Sequence, residues 1–147
     1  MNRNWALQNA TASIRGSSEF PNLFGQVNFY QKRNCVLVEA NIKGLPSTEN
    51  GFFGFHIHEG DNCAGDNFSG TGNHYNPTDA PHPSHVGDLP ALMLCNGCAY
   101  QAVATDRFSV ADIIGRTVVI HSMPDDFTSQ PAGNAGMKIA CGVIKRL

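Results

Sequence analysis

Apolar and polar positions alternate through the first third of the chain. Ala12 and Ile14 share one phase within residues 11–17, and Val27 and Phe29 share one within residues 24–30, against Gln26 and Asn28. Residues 34–42 carry the longest run, with Val36, Val38, Ala40 and Ile42 on one side and Cys35, Leu37, Glu39 and Asn41 on the other. A period of two places successive side chains on opposite faces of an extended chain, so each run predicts a half-buried strand. The turn-forming clusters Lys32-Arg33-Asn34 and Gly44-Leu45-Pro46-Ser47 separate the runs. Further strands are predicted over 51–59, 91–95, 98–105, 117–121 and 139–145. Asn96-Gly97 between two of them predicts a two-residue hairpin, because both residues tolerate positive φ. No amphipathic helix longer than about two turns is predicted. Eight short strands with frequent turns indicate an all-β fold, a β-sandwich or barrel.

Two segments interrupt this pattern. Residues 60–90 span 31 positions, of which 17 are Gly, Pro, Asp or Asn. Residues 122–137 are similarly rich in turn formers. Loops of this length are uncommon in a compact domain and are usually functional when ordered.

Composition narrows the classes. A length of 147 residues suits one domain over 1–147, and 41% hydrophobic with 15% charged residues argues against disorder. The net charge is −2, so no basic footprint points to nucleic acid. No apolar run approaches the roughly 20 residues of a membrane-spanning helix. The first residues, Met1-Asn2-Arg3-Asn4-Trp5, lack the apolar core of a secretory signal. This leaves two expectations open: a cytoplasmic protein, or an extracytoplasmic one whose leader has been removed. The most informative feature is the placement of six histidines, all between His56 and His121.

His56 and His58 flank Ile57 on a predicted strand, so both point to the face opposite Phe55 and Ile57. Alone, such a pair reads more often as surface histidines than as two ligands of one metal ion. His74, His82, His85 and Asp88 lie in the long loop, and three imidazoles with one carboxylate match a tetrahedral zinc shell. A bound metal would order a loop of this kind. His121 ends the strand in which Val118 and Ile120 face the core, so it points outward from the wall. Six imidazoles and one carboxylate make two sites if one ring bridges, a split that spacing alone does not decide.

These residues resemble the copper/zinc superoxide dismutases, in particular the bacterial branch. The resemblance rests on Gly54-Phe55-His56-Ile57-His58-Glu59, Gly72-Asn73-His74-Tyr75-Asn76-Pro77, His85-Val86-Gly87-Asp88-Leu89-Pro90, Ile114-Gly115-Arg116-Thr117-Val118-Val119-Ile120-His121 and Gly133-Asn134-Ala135-Gly136-Met137-Lys138-Ile139-Ala140-Cys141-Gly142. They run in family order over most of the chain. The resemblance implies an eight-stranded antiparallel Greek-key barrel with two long functional loops. It also implies copper on His56, His58, His74 and His121, and zinc on His74, His82, His85 and Asp88, with His74 bridging. Asp125 matches a carboxylate that links one ligand of each metal, and Cys63 and Cys141 match the family disulfide. Superoxide is the implied substrate, disproportionated to dioxygen and hydrogen peroxide, with His74 and Lys138 as the catalytic side chains. The subunit arrangement stays open, a homodimer included. A non-catalytic copper/zinc-binding relative is the alternative. A zinc hydrolase would need an open zinc position, which Asp88 fills. A plain interaction module leaves the seven residues unexplained.

The chain departs from the family pattern in four places. Lys138 stands where the family has arginine, which keeps the charge without the planar fork of donors. Weaker substrate positioning is expected, and Lys138→Arg should raise activity. Residues 122–137 hold Asp125 and Asp126 but no basic residue before Lys138, so weak electrostatic steering is expected, with little fall in rate as salt is added. His82 and His85 are unusually close, with Pro81 and Pro83 stiffening the loop. Cys95 and Cys98 flank the predicted hairpin, where a local or reversible disulfide is expected ahead of free thiols or a metal site. Cys35 is expected to be a free thiol.

Overall fold

The computed structural model describes residues 8–147. Its elements are β1 (Ala10–Gly16), β2 (Phe24–Gln31), β3 (Val36–Lys43), β4 (Phe52–Phe53), β5 (Phe55–His58), β6 (Leu92–Met93), β7 (Cys98–Thr105), α1 (Val110–Ile113), β8 (Thr117–His121) and β9 (Lys138–Arg146). A 3₁₀ segment, Asp66–Thr71, interrupts the first long loop. Seven strands form one antiparallel sheet in the order β5-β8-β9-β1-β2-β3-β7, and β4 pairs with β6. The sheet curls into a Greek-key barrel, and the short pair closes it: β4 runs on into β5, and β6 turns through the Cys95–Cys98 bridge into β7.

Nine strands replace the eight expected, because the strand predicted over 51–59 divides at Gly54. Its first half pairs with β6 and its second half with β8. The backbone N–H of Gly54 instead donates to Met123 O at 2.8 Å, which draws the second loop against the wall. The strand predicted over 91–95 contracts to β6 for the same reason, since its partner β4 is only two residues long.

Alternation translates directly into burial. Ala12, Ile14, Val27, Phe29, Val36, Val38, Ala40 and Ile42 all face the interior. Phe53, Phe55, Ile57, Val118, Ile120, Ile139 and Ile144 complete the core. Fully burying each large apolar side chain contributes about 1.5–3 kcal/mol, so the wall is a rigid platform. The hairpin turn has Asn96 at φ 48° and Gly97 at φ 75°, as its two-residue length requires. Among the described residues the one α-helix, α1, spans four residues, and no helix is long and apolar enough to cross a membrane.

Cys63 and Cys141 form a disulfide across 78 residues of chain, joining the first long loop to β9. Cys35, Cys95 and Cys98 are free thiols. The local disulfide expected between Cys95 and Cys98 is absent, because the two residues exchange both backbone hydrogen bonds, at 2.7 and 2.9 Å. Side chains of such a pair stand further apart than those of the alternate, non-hydrogen-bonded pairs.

Candidate metal centre

The centre is built on the outer face of β5 and β8. Phe55 and Ile57 point into the core, so His56 and His58 point away from it, and His121 follows Ile120 outward at a register irregularity of β8. These three are not surface residues. His56 is 0%, His58 2% and His121 4% exposed, because the two long loops roof this face of the wall.

The first loop is ordered by strand-like bonds along the edge of β5. Ile57 N–H donates to Gly87 O at 2.8 Å, Tyr75 N–H to Ile57 O at 2.9 Å and Gly87 N–H to Tyr75 O at 2.9 Å. This pairing covers an otherwise open strand edge. It also sets His74 beside His58 and Asp88 beside His56. The Arg107 guanidinium adds bonds to Pro83 O at 3.0 Å and His85 O at 3.1 Å. Arg116 stacks on Tyr75, 3.8 Å from the ring centre.

Two groups of ligand atoms result, each within 4.8 Å mutually: His56, His58, His74 and His121, and His74, His82, His85 and Asp88. His74 belongs to both. Its Nδ1 lies 2.8 Å from Asp88 Oδ1 and 3.2 Å from His85 Nδ1, while its Nε2 is buried without a hydrogen-bond partner. His56 Nδ1 is likewise unpartnered, and His82 Nδ1 lies 3.0 Å from Asp88 Oδ2 without hydrogen-bond alignment. His58 Nε2 and His121 Nε2 are 3.2 Å apart. Donors around a tetrahedral ion at about 2.0–2.1 Å stand roughly 3.3 Å from one another, so these spacings suit a shared cation. Buried polar atoms are normally paired, and the unpartnered nitrogens lie where an ion would satisfy them. The donor sets therefore fit two metal ions.

The remaining ring nitrogens are occupied. Asp125 accepts from His56 Nε2 and His82 Nε2, both at 2.7 Å, and so ties one member of each group. His58 Nδ1 donates to Gly72 O at 2.9 Å. Such outer contacts fix which nitrogen carries the proton and which is free to ligate. Gly133 makes the Asp125 bridge possible: at φ 69°, a Cβ there would stand 2.0 Å from Asp125 Oδ1 and 2.6 Å from His82 Nε2.

Electrostatics agree with this use. Burial pushes His56, His58 and His85 below the ordinary imidazole range and His121 down to about 3, so these rings stay neutral. Burial alone would raise Asp88 and Asp125, but hydrogen bonds from His74 to the former, and from His56 and His82 to the latter, hold both below the usual carboxylate range. Asp125 is thus an internal charge, and Asp126 is the exposed acid of the second loop.

A cavity of about 200 Å³ opens onto His58, His74, His121 and Lys138. Lys138 does not sit on a free stem, in contrast to expectation. Its Nζ donates to Thr71 Oγ1 at 2.9 Å and to Gly72 O at 3.1 Å, and burial lowers its pKa from the ordinary lysine value.

Three contributors escape sequence reasoning. Gln130 clasps His82, accepting from its N–H and donating to its C=O, both at 2.8 Å. Thr71 and Arg107 are the others. Each is a single polar residue in or beside a turn-rich segment, without period or spacing to mark it.

The Copper/zinc superoxide dismutase (SODC) family model matches residues 23–144. The chain is 34% identical over 138 residues to superoxide dismutase [Cu-Zn] 2 of Aquifex aeolicus (strain VF5), covering 84% of this chain and 80% of that one. It is 34% identical over 143 residues to superoxide dismutase [Cu-Zn] of Legionella pneumophila, covering 92% and 86%. It is also 35% identical over 137 residues to extracellular superoxide dismutase [Cu-Zn] of Rattus norvegicus, covering 84% of this chain and 55% of the rat protein.

Proposed function

Because the chain belongs to the copper/zinc superoxide dismutase family, we propose that His56, His58, His74 and His121 hold copper and that His74, His82, His85 and Asp88 hold zinc. Four imidazoles suit copper, and three nitrogens with one oxygen suit zinc. The enzyme disproportionates superoxide: two superoxide anions and two protons give one dioxygen and one hydrogen peroxide. The observation that carries the assignment is the shared ring of His74, with Nδ1 in one donor set and Nε2 facing the other.

Copper, when bound, supplies the one-electron centre that first oxidises and then reduces superoxide, and zinc supplies a fixed positive charge. The chain does the rest. Lys138 attracts the anion into the cavity beside His58 and His121. His74 Nε2 holds a proton between the two half-reactions and delivers it to the peroxide as it forms, while Nδ1 anchors the ring. Asp125 keeps His56 and His82 in the tautomers that leave their Nδ1 atoms free. Between the strand-borne ligands and the roofing loops, the cavity of about 200 Å³ gives a small anion its approach.

Metal analysis with a superoxide assay after copper reconstitution tests this reading. About one copper and one zinc per chain, with activity, is the expected result. Zinc alone, with no activity after copper loading, would overturn it.

A further inference from the structure

We propose that Thr71 is a positioning residue for Lys138, and that the two together form a preorganised dock for a small anion. The inference deepens the function proposed above and rests on it. Thr71 is fully buried, and its hydroxyl donates to Phe68 O at 2.8 Å. That bond commits the hydroxyl proton and leaves the oxygen lone pairs to accept from Lys138 Nζ at 2.9 Å. Gly72 O takes a second N–H of the same ammonium at 3.1 Å. A lysine head has three N–H donors, so one remains for the cavity.

The bracket is itself held on both sides. Lys138 N–H donates to Asn67 Oδ1 at 3.2 Å, and the Cys63–Cys141 disulfide fastens the same loop three residues further along β9. Gly72 O also accepts from His58 Nδ1, so the carbonyl that fixes the ammonium also orients a neighbouring imidazole. A flexible lysine stem loses rotamer entropy when it is fixed on an incoming anion. Here two acceptors fix it beforehand, which replaces by restraint part of what a planar guanidinium has by shape.

Thr71→Val keeps the buried volume and removes the acceptor, whereas Thr71→Ser keeps the acceptor. Azide titrated into the copper-loaded enzyme, followed by its absorption change, reads the dock directly. Thr71→Val should weaken azide binding about three- to tenfold, the worth of one ordinary hydrogen bond, and Thr71→Ser should restore it. Lys138→Met should weaken it further, and adding Thr71→Val to Lys138→Met should then change nothing. Nuclear relaxation of the Lys138 side-chain methylenes in the diamagnetic, zinc-loaded protein reads the restraint without copper or turnover. Order should fall in Thr71→Val and persist in Thr71→Ser. Where Thr71→Val fails to fold, Thr71→Ala supplies the same comparison. Unchanged Lys138 order and azide affinity in the hydroxyl-less variant would overturn the proposal, as would a loss of thermal stability alone. Loss of Lys138 order in a protein whose wild type shows no dismutation would uphold the positioning role and overturn the function.

Discussion

The two halves of the centre are made in different ways. His56, His58 and His121 stand on β5 and β8, where the packing of Phe55, Ile57, Val118 and Ile120 dictates their direction. His82, His85 and Asp88 stand on a loop, and Gln130, Arg107 and Asp125 hold them. The first set inherits its geometry from the core. The second assembles its geometry from individual polar contacts, so it should be the softer half and the one more dependent on its ion for order.

The sharpest way to break the comparison is to remove one of the proposed copper ligands from the strand side. His58→Ala should lower dismutation at least about a hundredfold and copper content to near zero, with zinc retained, as metal analysis and the superoxide assay would record. Equal loss of both metals would mean that the halves are not separable. Asp125→Ala strikes their junction and should weaken both metals by about 10–100-fold in competition with a chelator. A change confined to one metal would mean that the Asp125 bridge matters on one side only.

Acid probes the strand half of the metal-free protein. His121 is neutral when folded down to about pH 3. In the unfolded chain it protonates near 6.5. The unfolded state therefore binds more protons below that value, so stability is complete above about pH 6.5 and declines as pH falls toward 3. Between pH 6.5 and 5 this one ring should cost about 2 kcal/mol, measurable by denaturant unfolding of the metal-free protein. Gln130→Ala is the smallest perturbation. It removes both bonds to the His82 backbone and should cost about 1 kcal/mol, seen as faster amide exchange near His82 with exchange in β8 unchanged.

The same division explains what was legible beforehand. Period two places Phe55, Ile57, Val118 and Ile120 inside and thereby aims three histidines, so the wall and the direction of these side chains follow from the order of residues. The grouping of His74, His82, His85 and Asp88 follows from motif spacing, which names the residues without giving their geometry. The division of the 51–59 strand at Gly54 depends on a bond to Met123, 69 positions away, and no local pattern carries such a contact. The hold of Thr71 on Lys138 is equally non-local, which is why the lysine reads as a loose substitute in sequence and as a fixed one in three dimensions.

Gly133 shows one way in which such a centre is vulnerable to inheritance. The position contributes no side chain, yet the space a methyl group would need is already filled by Asp125 Oδ1 and His82 Nε2. A single codon change there would force Asp125 Oδ1 and His82 Nε2 apart and so break the bridge on its His82 side. A position with no room to vary is therefore one whose side chain has no chemistry of its own, and a library of Gly133 variants should be depleted as severely as one at His82.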